Sequence, residues 1–239
     1  MEGLFVSAMR LKSAPGSDSY LAGLPVVRHL AEAGELCFDR AVTFLVGENG
    51  TGKSTLLEGI AVAAGFNAEG GSKNFSFATR ESHSELHSHL TLVRRGYPRD
   101  GFFLRAESFY NAASYIDDIM VEGRYGGLSL HRQSHGESFL ALVRHRFGGG
   151  GLYLLDEPEA ALSPTGILTL MAELHRLALE GSQFIIATHS PMLLALPEAR
   201  IFELSQAGIA PAEYRETGYY RITRRFLEDP EGMLGKVLE

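Results

Sequence analysis

Residues 47–55 read GENGTGKST and stand between two apolar stretches, AVTFLV at 41–46 and LLEGIAVAAG at 56–65. The first stretch is short and continuous, which is typical of a buried strand. The second places its large apolar residues on one face at helical spacing. The sequence therefore predicts a strand, a glycine-rich turn and a helix in immediate succession, which is the local plan of an α/β fold.

The glycine-rich turn fits the pattern G-x-x-x-x-G-K-[ST]. Its glycines allow a tight turn whose backbone N–H groups converge on a phosphate, and the positive end of the following helix adds attraction. Lys53 would reach the β- and γ-phosphates, and Ser54 would hold Mg²⁺ through its hydroxyl. We predict that nine residues bind the phosphates of ATP: Gly47, Glu48, Asn49, Gly50, Thr51, Gly52, Lys53, Ser54 and Thr55.

A second apolar run ends in two acidic residues. GLYLLDEP at 151–158 predicts a buried strand with Asp156 and Glu157 at its exit. An aspartate in this place can bind Mg²⁺ through water, and the adjacent glutamate can orient or deprotonate an attacking water. We therefore predict Asp156 as a second Mg²⁺ residue and Glu157 as a catalytic residue beside Lys53.

A third apolar run ends in a histidine. QFIIATHSP at 183–191 predicts a buried strand with His189 at its exit, where the imidazole could hydrogen-bond the γ-phosphate and sense its loss. Ligands of parallel sheets lie at the carboxyl ends of the strands. We therefore expect Gly47, Asp156 and His189 to meet at one edge of the sheet, with His189 as a catalytic residue.

The rest of the chain suits one domain of the P-loop NTPase fold. Strands that alternate with helices predict a mostly parallel sheet. Residues 3–11 predict a further strand, and GYPRDG at 96–101 predicts a turn that joins two strands of an antiparallel β element. Residues 108–147 look helical and predict a short insertion within a single domain, 1–239.

The segment QSHGE at 133–137 precedes a predicted helix and could offer Ser134 and backbone N–H groups to an anion. In isolation it is a capping sequence. GENGTGKST, QSHGE, LLDEPEAALS and ATHS occur in the order Walker A, signature, Walker B with D-loop, and H-loop. Over roughly residues 1–205 the chain resembles the ABC ATPase superfamily, and most of all its small non-transporter members, the predicted ATPases related to the RecF/SMC group.

This resemblance implies a head-to-tail homodimer that closes on ATP and hydrolyses it to ADP and phosphate with Mg²⁺. Each site would take its Walker motifs from one copy and its signature from the other; the signature residues in this chain are Ser134, His135, Gly136 and Glu137. The chain departs from the family at His135, where a glycine is usual. The Q-loop glutamine is not evident either, and Glu107 stands near its place.

The resemblance leaves three functions open. The first is an ATP-driven switch for a nucleic-acid or protein partner, for example in DNA repair or in defence against foreign DNA. The second is the ATP-binding subunit of a transporter, which the missing glutamine and the short insertion disfavour. The third is a small-molecule kinase, in which Glu157, QSHGE and His189 would have no purpose.

Composition indicates which partners and which cellular compartment suit the protein. The net charge of −7 gives no global attraction to nucleic acid or to an anionic membrane. No run of about 18 apolar residues occurs, so we expect no direct membrane insertion. The single cysteine, Cys37, suits a reducing cytoplasm.

Three weaker features remain as alternatives. A metal site could form from His83, His87 and His89, although the alternation around them favours the polar face of a strand. Arginine clusters at 94–99 and 221–225 could contact phosphate backbones, although solvated surface is the usual role of such clusters. The resemblance also implies an aromatic residue that stacks on adenine, for which Tyr20 and Phe38 are the candidates.

Overall fold

The computed structural model describes residues 4–72, 84–105 and 135–238. Three predicted features therefore lie outside the described residues: Ser134, Glu107 and His83. Most of the predicted insertion, 108–147, lies outside them as well. None of the helices in the described ranges is long and apolar enough to cross a membrane.

Within the described residues, six strands form a mostly parallel sheet. In chain order they are β3 (Val42–Gly47), β5 (Asp100–Arg105), β6 (Gly151–Asp156), β7 (Gln183–Ala187), β8 (Arg200–Ser205) and β9 (Gly208–Pro211). They lie side by side in the order β5-β6-β7-β3-β8-β9, and only β9 is antiparallel to its neighbour. The strands β3, β6 and β7 are fully buried along their length. The predicted continuous apolar runs are thus the centre of the sheet.

A second, antiparallel sheet contains β1 (Val6–Leu11), β2 (Glu35–Cys37) and β4 (Leu90–Arg94) in the order β2-β1-β4. The turn GYPRDG does join two strands, as predicted. However, β4 pairs with β1, whereas β5 pairs with β6 in the parallel sheet. The turn is therefore a crossing between the two sheets, and the predicted fold class, a mostly parallel sheet with an antiparallel β element, is confirmed.

Helices lie on both faces of the parallel sheet, and eight α-helices fall within the described residues. They are α1 (Tyr20–Gly23), α2 (Pro25–Ala33), α3 (Lys53–Ala64), α4 (Leu86–His89), α5 (His135–Arg146), α6 (Pro164–Leu179), α7 (Gly218–Glu228) and α8 (Pro230–Leu238). Helix α3 packs on one face of the parallel sheet through Leu56 and Ile60. Helix α6 packs on the other face through Leu170 and Leu174. As the sequence indicates, Ser163 caps α6 and accepts a hydrogen bond from the backbone of Gly166.

The prediction that His87 and His89 lie on the polar face of a strand is wrong. These residues lie in the single-turn helix α4, with His87 Nδ1 3.1 Å from the carbonyl oxygen of Ser84. The reason is local, because the hydroxyl of Ser84 accepts from the N–H of Leu86 and starts the turn. Among the described residues no group of three or more histidine, cysteine or acidic side chains could hold a metal ion.

Candidate functional site

The phosphate-binding turn owes its shape to glycine. Gly50 and Gly52 have φ values of 80° and 94°, in the left-handed region that only glycine adopts freely. A Cβ on Gly47 would lie 2.2 Å from the carbonyl oxygen of Leu204 in the neighbouring strand β8. These positions let the backbone fold over the N-terminus of α3, where free N–H groups and the helix dipole attract an anion.

Lys53 lies inside this turn. Its Nζ atom donates to the carbonyl oxygens of Gly47 (2.6 Å) and Glu48 (3.1 Å). Burial lowers the pKa of Lys53, and the nearby carboxylates of Glu157 and Asp156 oppose that shift. The ammonium group is therefore desolvated and held by backbone oxygens beside the predicted phosphate position, which suits a ligand with negative charge.

Ser54 and Asp156 meet as predicted, although 102 positions separate them. The Ser54 hydroxyl donates to Asp156 Oδ1 at 3.0 Å. The carboxylate of Asp156 is largely buried at the end of β6, and a hydroxyl with a carboxylate is the oxygen donor set that Mg²⁺ takes in nucleotide sites. The oxygen atoms of Ser54 and Asp156 are therefore suitable ligands for the predicted Mg²⁺. On the other side of the carboxylate, Arg105 Nε lies 3.9 Å from Asp156 Oδ2.

Glu157 begins a turn in an unusual backbone conformation. Its φ of 49° and ψ of 53° place a non-glycine residue in the left-handed region, at a cost of about 1–3 kcal/mol. The backbone N–H of Glu157 donates to Ala187 O at 2.9 Å, which ties the ends of β6 and β7 together. Its side chain points outward enough to be 43% exposed, and Oε1 lies 3.3 Å from His189 Nε2. The predicted catalytic acid and histidine are therefore adjacent.

The sequence missed Glu159. Its Oε1 atom accepts from the backbone N–H of His189 (2.6 Å) and from the hydroxyl of Thr188 (2.8 Å). Glu159 lies in the short 3-10 helix Pro158–Ala161 that follows β6. An acidic residue three positions after a metal-binding aspartate was the signal available, but nothing in the sequence indicated its partner.

The sequence also missed Tyr219, which comes from α7 near the end of the chain. Its Oη atom lies 2.6 Å from His189 Nδ1 and donates to Gly47 O at 3.0 Å. Burial raises the pKa of the Tyr219 hydroxyl, with the nearby carboxylates of Glu48 and Glu157 adding to the shift. Thr217 caps α7 by accepting from the N–H of Tyr220, which the sequence TGYY could have indicated.

Part of the predicted signature lies in the described residues. Gly136 and Glu137 stand in the first turn of α5, and a Cβ on Gly136 would lie 2.7 Å from the carbonyl oxygen of Ala161. Helix α5, in which these predicted signature residues lie, therefore packs closely on the turn that follows Glu157. The placement of Ser134 and Glu137 against a second copy stays a prediction.

The two candidates for adenine stacking, Phe38 and Tyr20, differ in their exposure to solvent. Phe38 is 2% exposed and packs in the core beneath the antiparallel sheet, so it cannot reach a ligand. Tyr20 is 64% exposed at the start of α1. The next segment brings Leu24 into the wall of the cavity formed by the phosphate-binding turn and Glu157. Tyr20 is the candidate that remains.

Comparisons with known proteins agree with this geometry. Residues 119–195 match a family described as "AAA domain, putative AbiEii toxin, Type IV TA system", and residues 28–102 match a family described as "AAA domain". Together the two matches contain the turn at 47–55, Asp156, Glu157 and His189.

Curated relatives share the same domain within longer chains. The chain is 29% identical to the pyoverdine export ATP-binding/permease protein PvdT of Pseudomonas savastanoi pv. phaseolicola, over 81% of this chain and 32% of the relative. It is 26% identical to the macrolide export ATP-binding/permease protein MacB of Escherichia coli O157:H7, over 83% of this chain and 32% of the relative. The chain thus spans about a third of the length of these relatives.

A solved structure shows the same fold. It is cbiO1 from Clostridium perfringens, part of the ABC transporter complex cbiONQ, with a TM-score of 0.50 and 16% identity over 98% of this chain and 99% of that one. The strand order and the glycine-rich turn before α3 are thus those of the P-loop NTPase fold. The chain is similar to ABC-type P-loop ATPases, and the two AAA-domain matches are consistent with its resemblance to the RecF/SMC group.

Proposed function

We propose that this chain binds ATP with Mg²⁺ and hydrolyses it to ADP and phosphate. The observation that carries the proposal is the convergence of five predicted residues at the carboxyl ends of three neighbouring strands. They form a continuous set through two contacts, Ser54 to Asp156 at 3.0 Å and Glu157 to His189 at 3.3 Å. The set is completed by Lys53 in the turn.

Each residue has a role that its position supports. Lys53 and the backbone N–H groups of 47–55 hold the β- and γ-phosphates. Ser54 and Asp156 hold Mg²⁺, which neutralises phosphate charge when bound. Glu157 orients or deprotonates the attacking water, since its side chain is partly exposed and next to the phosphate position. The proposal gives His189 a contact with the γ-phosphate, which is supported by its Nε2 atom lying 3.3 Å from Glu157 Oε1.

The second part of the proposal is an ATP-dependent homodimer. Glu157 lines the phosphate cavity and its side chain is 43% exposed, so a second copy can approach a bound nucleotide from this side. The signature residues 134–137 of a second copy would cover it. ATP bound across such an interface favours the associated state by mass action. Closing and opening with each round of hydrolysis makes the protein a switch for a partner.

The variant Glu157→Gln tests the ATPase and the dimer together. Glutamine keeps the shape of glutamate but accepts a proton poorly, so hydrolysis should slow by about 10²- to 10⁴-fold while ATP stays bound. Size-exclusion chromatography with light scattering should then detect a dimer with Mg-ATP and a monomer without nucleotide. The matched control is Glu216→Gln, on an exposed turn. A Glu157→Gln chain that binds ATP but stays monomeric would sink the dimer proposal.

A mixing experiment tests the signature in trans. Ser134→Arg chains and Lys53→Ala chains should each be inactive alone. A mixed dimer would contain one intact site, formed by the Walker residues of the first chain and Ser134 of the second. ATPase activity of the mixture should exceed the sum of the separate activities. If it never does, Ser134 does not act across the interface.

The partner of the switch is a nucleic acid or a protein in the cytoplasm. A role in defence is the branch that the family description supports, because it names a toxin–antitoxin system. Repair of DNA is the other branch. Isolating the dimer trapped by Glu157→Gln and identifying the nucleic acid or protein bound to it distinguishes these branches.

A second candidate function is the ATP-binding subunit of a transporter. The observation in its favour is that the relatives PvdT and MacB are named as export proteins with a permease part. This candidate predicts that the chain copurifies with a membrane protein and that its ATPase rate rises in that complex. A dimer that binds no membrane protein and is stimulated by DNA would exclude it.

A further inference from the structure

Arg105 stands beside the predicted magnesium residue Asp156, on the neighbouring strand. The two residues are the last of β5 and β6, and they are partners in the register of the parallel sheet. Arg105 Nε lies 3.9 Å from Asp156 Oδ2. A permanent positive charge therefore adjoins the predicted metal site without being one of its ligands.

The guanidinium group of Arg105 is held in place from its other side. Its Nη1 atom donates to Glu58 Oε2 at 2.8 Å, and Glu58 is buried. The second oxygen of Glu58 accepts from the backbone N–H of Ser84 at 2.7 Å. Because a buried carboxylate with its own hydrogen bond holds Nη1, the planar guanidinium group has little freedom to turn away from Asp156.

Helix α3 thus acts on both oxygens of the Asp156 carboxylate. Ser54, in the first turn of α3, donates to Oδ1 at 3.0 Å. Glu58, one turn further along the same face of the helix, holds Arg105 beside Oδ2. The two oxygens are therefore not equivalent. Oδ1 faces the hydroxyl that would bind Mg²⁺, whereas Oδ2 faces a cation.

The Nε atom of Arg105 also has an unused proton. This atom is buried and has no hydrogen-bond acceptor among residues 4–72, 84–105 and 135–238. A buried donor without an acceptor costs about 1–3 kcal/mol. If the carboxylate of Asp156 turns toward Arg105, Oδ2 becomes the acceptor, but a metal ion bound at Oδ2 would prevent this.

Oδ2 is for these reasons a poor ligand for a metal ion. A divalent cation there would lie next to the guanidinium charge and would leave Nε without its acceptor. Asp156 thus offers the single oxygen Oδ1, directly or through water. This suits Mg²⁺, which keeps several waters in octahedral geometry, whereas Ca²⁺ takes more oxygen ligands and often both oxygens of one carboxylate.

We propose that Arg105 is a positioning residue that keeps Oδ2 of Asp156 away from the metal ion and thereby makes the nucleotide site prefer Mg²⁺ to Ca²⁺. The inference rests on the proposed function, because it takes a metal–nucleotide complex as the ligand. It goes further in assigning the metal preference to a residue that contacts neither the metal ion nor the nucleotide.

Isothermal titration with a non-hydrolysable ATP analogue tests this preference without any turnover. The dissociation constant of the analogue is measured with saturating Mg²⁺ and again with saturating Ca²⁺. Both ions carry the same charge, so a changed charge on the protein alters the two constants alike. The ratio of the constant with Ca²⁺ to the constant with Mg²⁺ therefore reports the ligands that each ion obtains, which a merely structural role would not change.

The main variant is Arg105→Met with Glu58→Leu, which removes the guanidinium group without leaving an unpaired carboxylate in the core. Loss of a residue that orients a metal ligand changes metal affinity by about 10- to 100-fold, so this ratio should fall about tenfold. Arg105→Lys is a second variant that keeps the charge. Its single nitrogen cannot lie beside both carboxylates, so the ratio should fall here as well.

The matched control is Glu58→Gln, which keeps Arg105 and an oxygen that accepts from it. Its ratio should equal that of the parent protein. An unchanged ratio in either arginine variant, or an equal fall in Glu58→Gln, overturns the proposal. Failure of the proposed function has a different result, because a parent protein that binds the analogue with neither ion has no ATP site, and the inference is then rejected with it.

Discussion

The carboxylate of Glu159 accepts a hydrogen bond from the backbone N–H of His189 at 2.6 Å. The same oxygen atom accepts from Thr188 Oγ1 at 2.8 Å, so the exit of β7 is anchored to the turn that carries Glu157. The position of the histidine is thus set by an acid that does not itself face the phosphate cavity.

Loss of Glu159 should separate these two loops. In Glu159→Ala the backbone N–H of His189 loses its acceptor, which costs about 1–3 kcal/mol of unfolding free energy. We also expect kcat to fall by about tenfold, since His189 is no longer held beside Glu157. Urea unfolding and steady-state ATPase assays measure the two effects. Glu159→Gln keeps an accepting oxygen and should stay close to the parent, so equal losses in both variants would contradict the anchoring role.

The positions of the candidate site residues could be predicted because each residue stands directly after a recognisable sequence pattern. Lys53, Asp156, Glu157 and His189 all follow apolar runs, and parallel strands bring their carboxyl ends to one edge. The contact of Ser54 with Asp156 follows from this rule, despite 102 positions between the residues. Sequence order and strand type were sufficient to place these groups together.

The residues that support the site could not be predicted in this way. Tyr219 is 172 positions from Gly47, and Arg105 reaches Glu58 across 47 positions. Such contacts depend on how α7 and β5 pack, which no local spacing records. The sequence also did not predict that β4 and β5 belong to different sheets. A turn signal predicts a change of direction but not which sheet the next strand joins.

Lys53→Ala should weaken ATP binding by about 10- to 100-fold. The substitution removes a charge-assisted contact with the phosphates, worth about 1.5–3 kcal/mol. Isothermal titration of ATP measures the change. Lys12→Ala is the control, since Lys12 lies outside the phosphate cavity at the end of the N-terminal strand. An unchanged affinity in Lys53→Ala would remove this residue from the site.

The lowered pKa of Lys53 predicts a pH dependence of ATP binding. Burial lowers the pKa of the free lysine, whereas bound phosphates favour the charged form and raise it again. Affinity is therefore full below the pKa of the free protein and falls as the pH rises through it toward the pKa of the complex. Lys53→Arg keeps its charge over this range, so its affinity should not fall. A parent protein with constant affinity across alkaline pH would contradict the assignment.

Gly136→Ala should displace helix α5, in which the predicted signature residue Gly136 lies. The added Cβ would lie 2.7 Å from the carbonyl oxygen of Ala161, so α5 must move away from the turn after Glu157. We expect ATPase activity to fall at least tenfold, with ATP affinity retained because the phosphate-binding turn is untouched. Gly235→Ala is the control, since a Cβ there meets no atom within 4 Å. Parent activity in Gly136→Ala would show that the close packing has no catalytic consequence.

Tyr20→Ala should weaken binding of ATP but not of inorganic triphosphate. Stacking of a base on an aromatic ring is worth about 1–3 kcal/mol, which corresponds to about 5- to 150-fold in affinity. The control is Tyr97→Ala, because Tyr97 is 85% exposed in the turn between β4 and β5. Equal affinity for ATP in the Tyr20→Ala variant and the parent would exclude Tyr20 as the adenine contact.

Arg105→Met should destabilise the fold through Glu58. Arg105 Nη1 lies 2.8 Å from Glu58 Oε2, and the Glu58 carboxylate is largely buried. Removing one partner of a buried ion pair leaves an uncompensated charge, at about 3–5 kcal/mol in full burial, so we expect about 2–4 kcal/mol here.

The control for this substitution is another arginine pair in the same chain. Arg10 pairs with Glu35 at the same distance, 2.8 Å, but both side chains are exposed. An exposed pair is screened by water and contributes little to stability, so Arg10→Met should barely change urea unfolding. The double variant Arg105→Met with Glu58→Leu removes the buried charge and should recover most of the loss. If the double variant is as unstable as Arg105→Met alone, the unpaired carboxylate is not the cause, and the contact of Arg105 with Asp156 becomes the explanation to test.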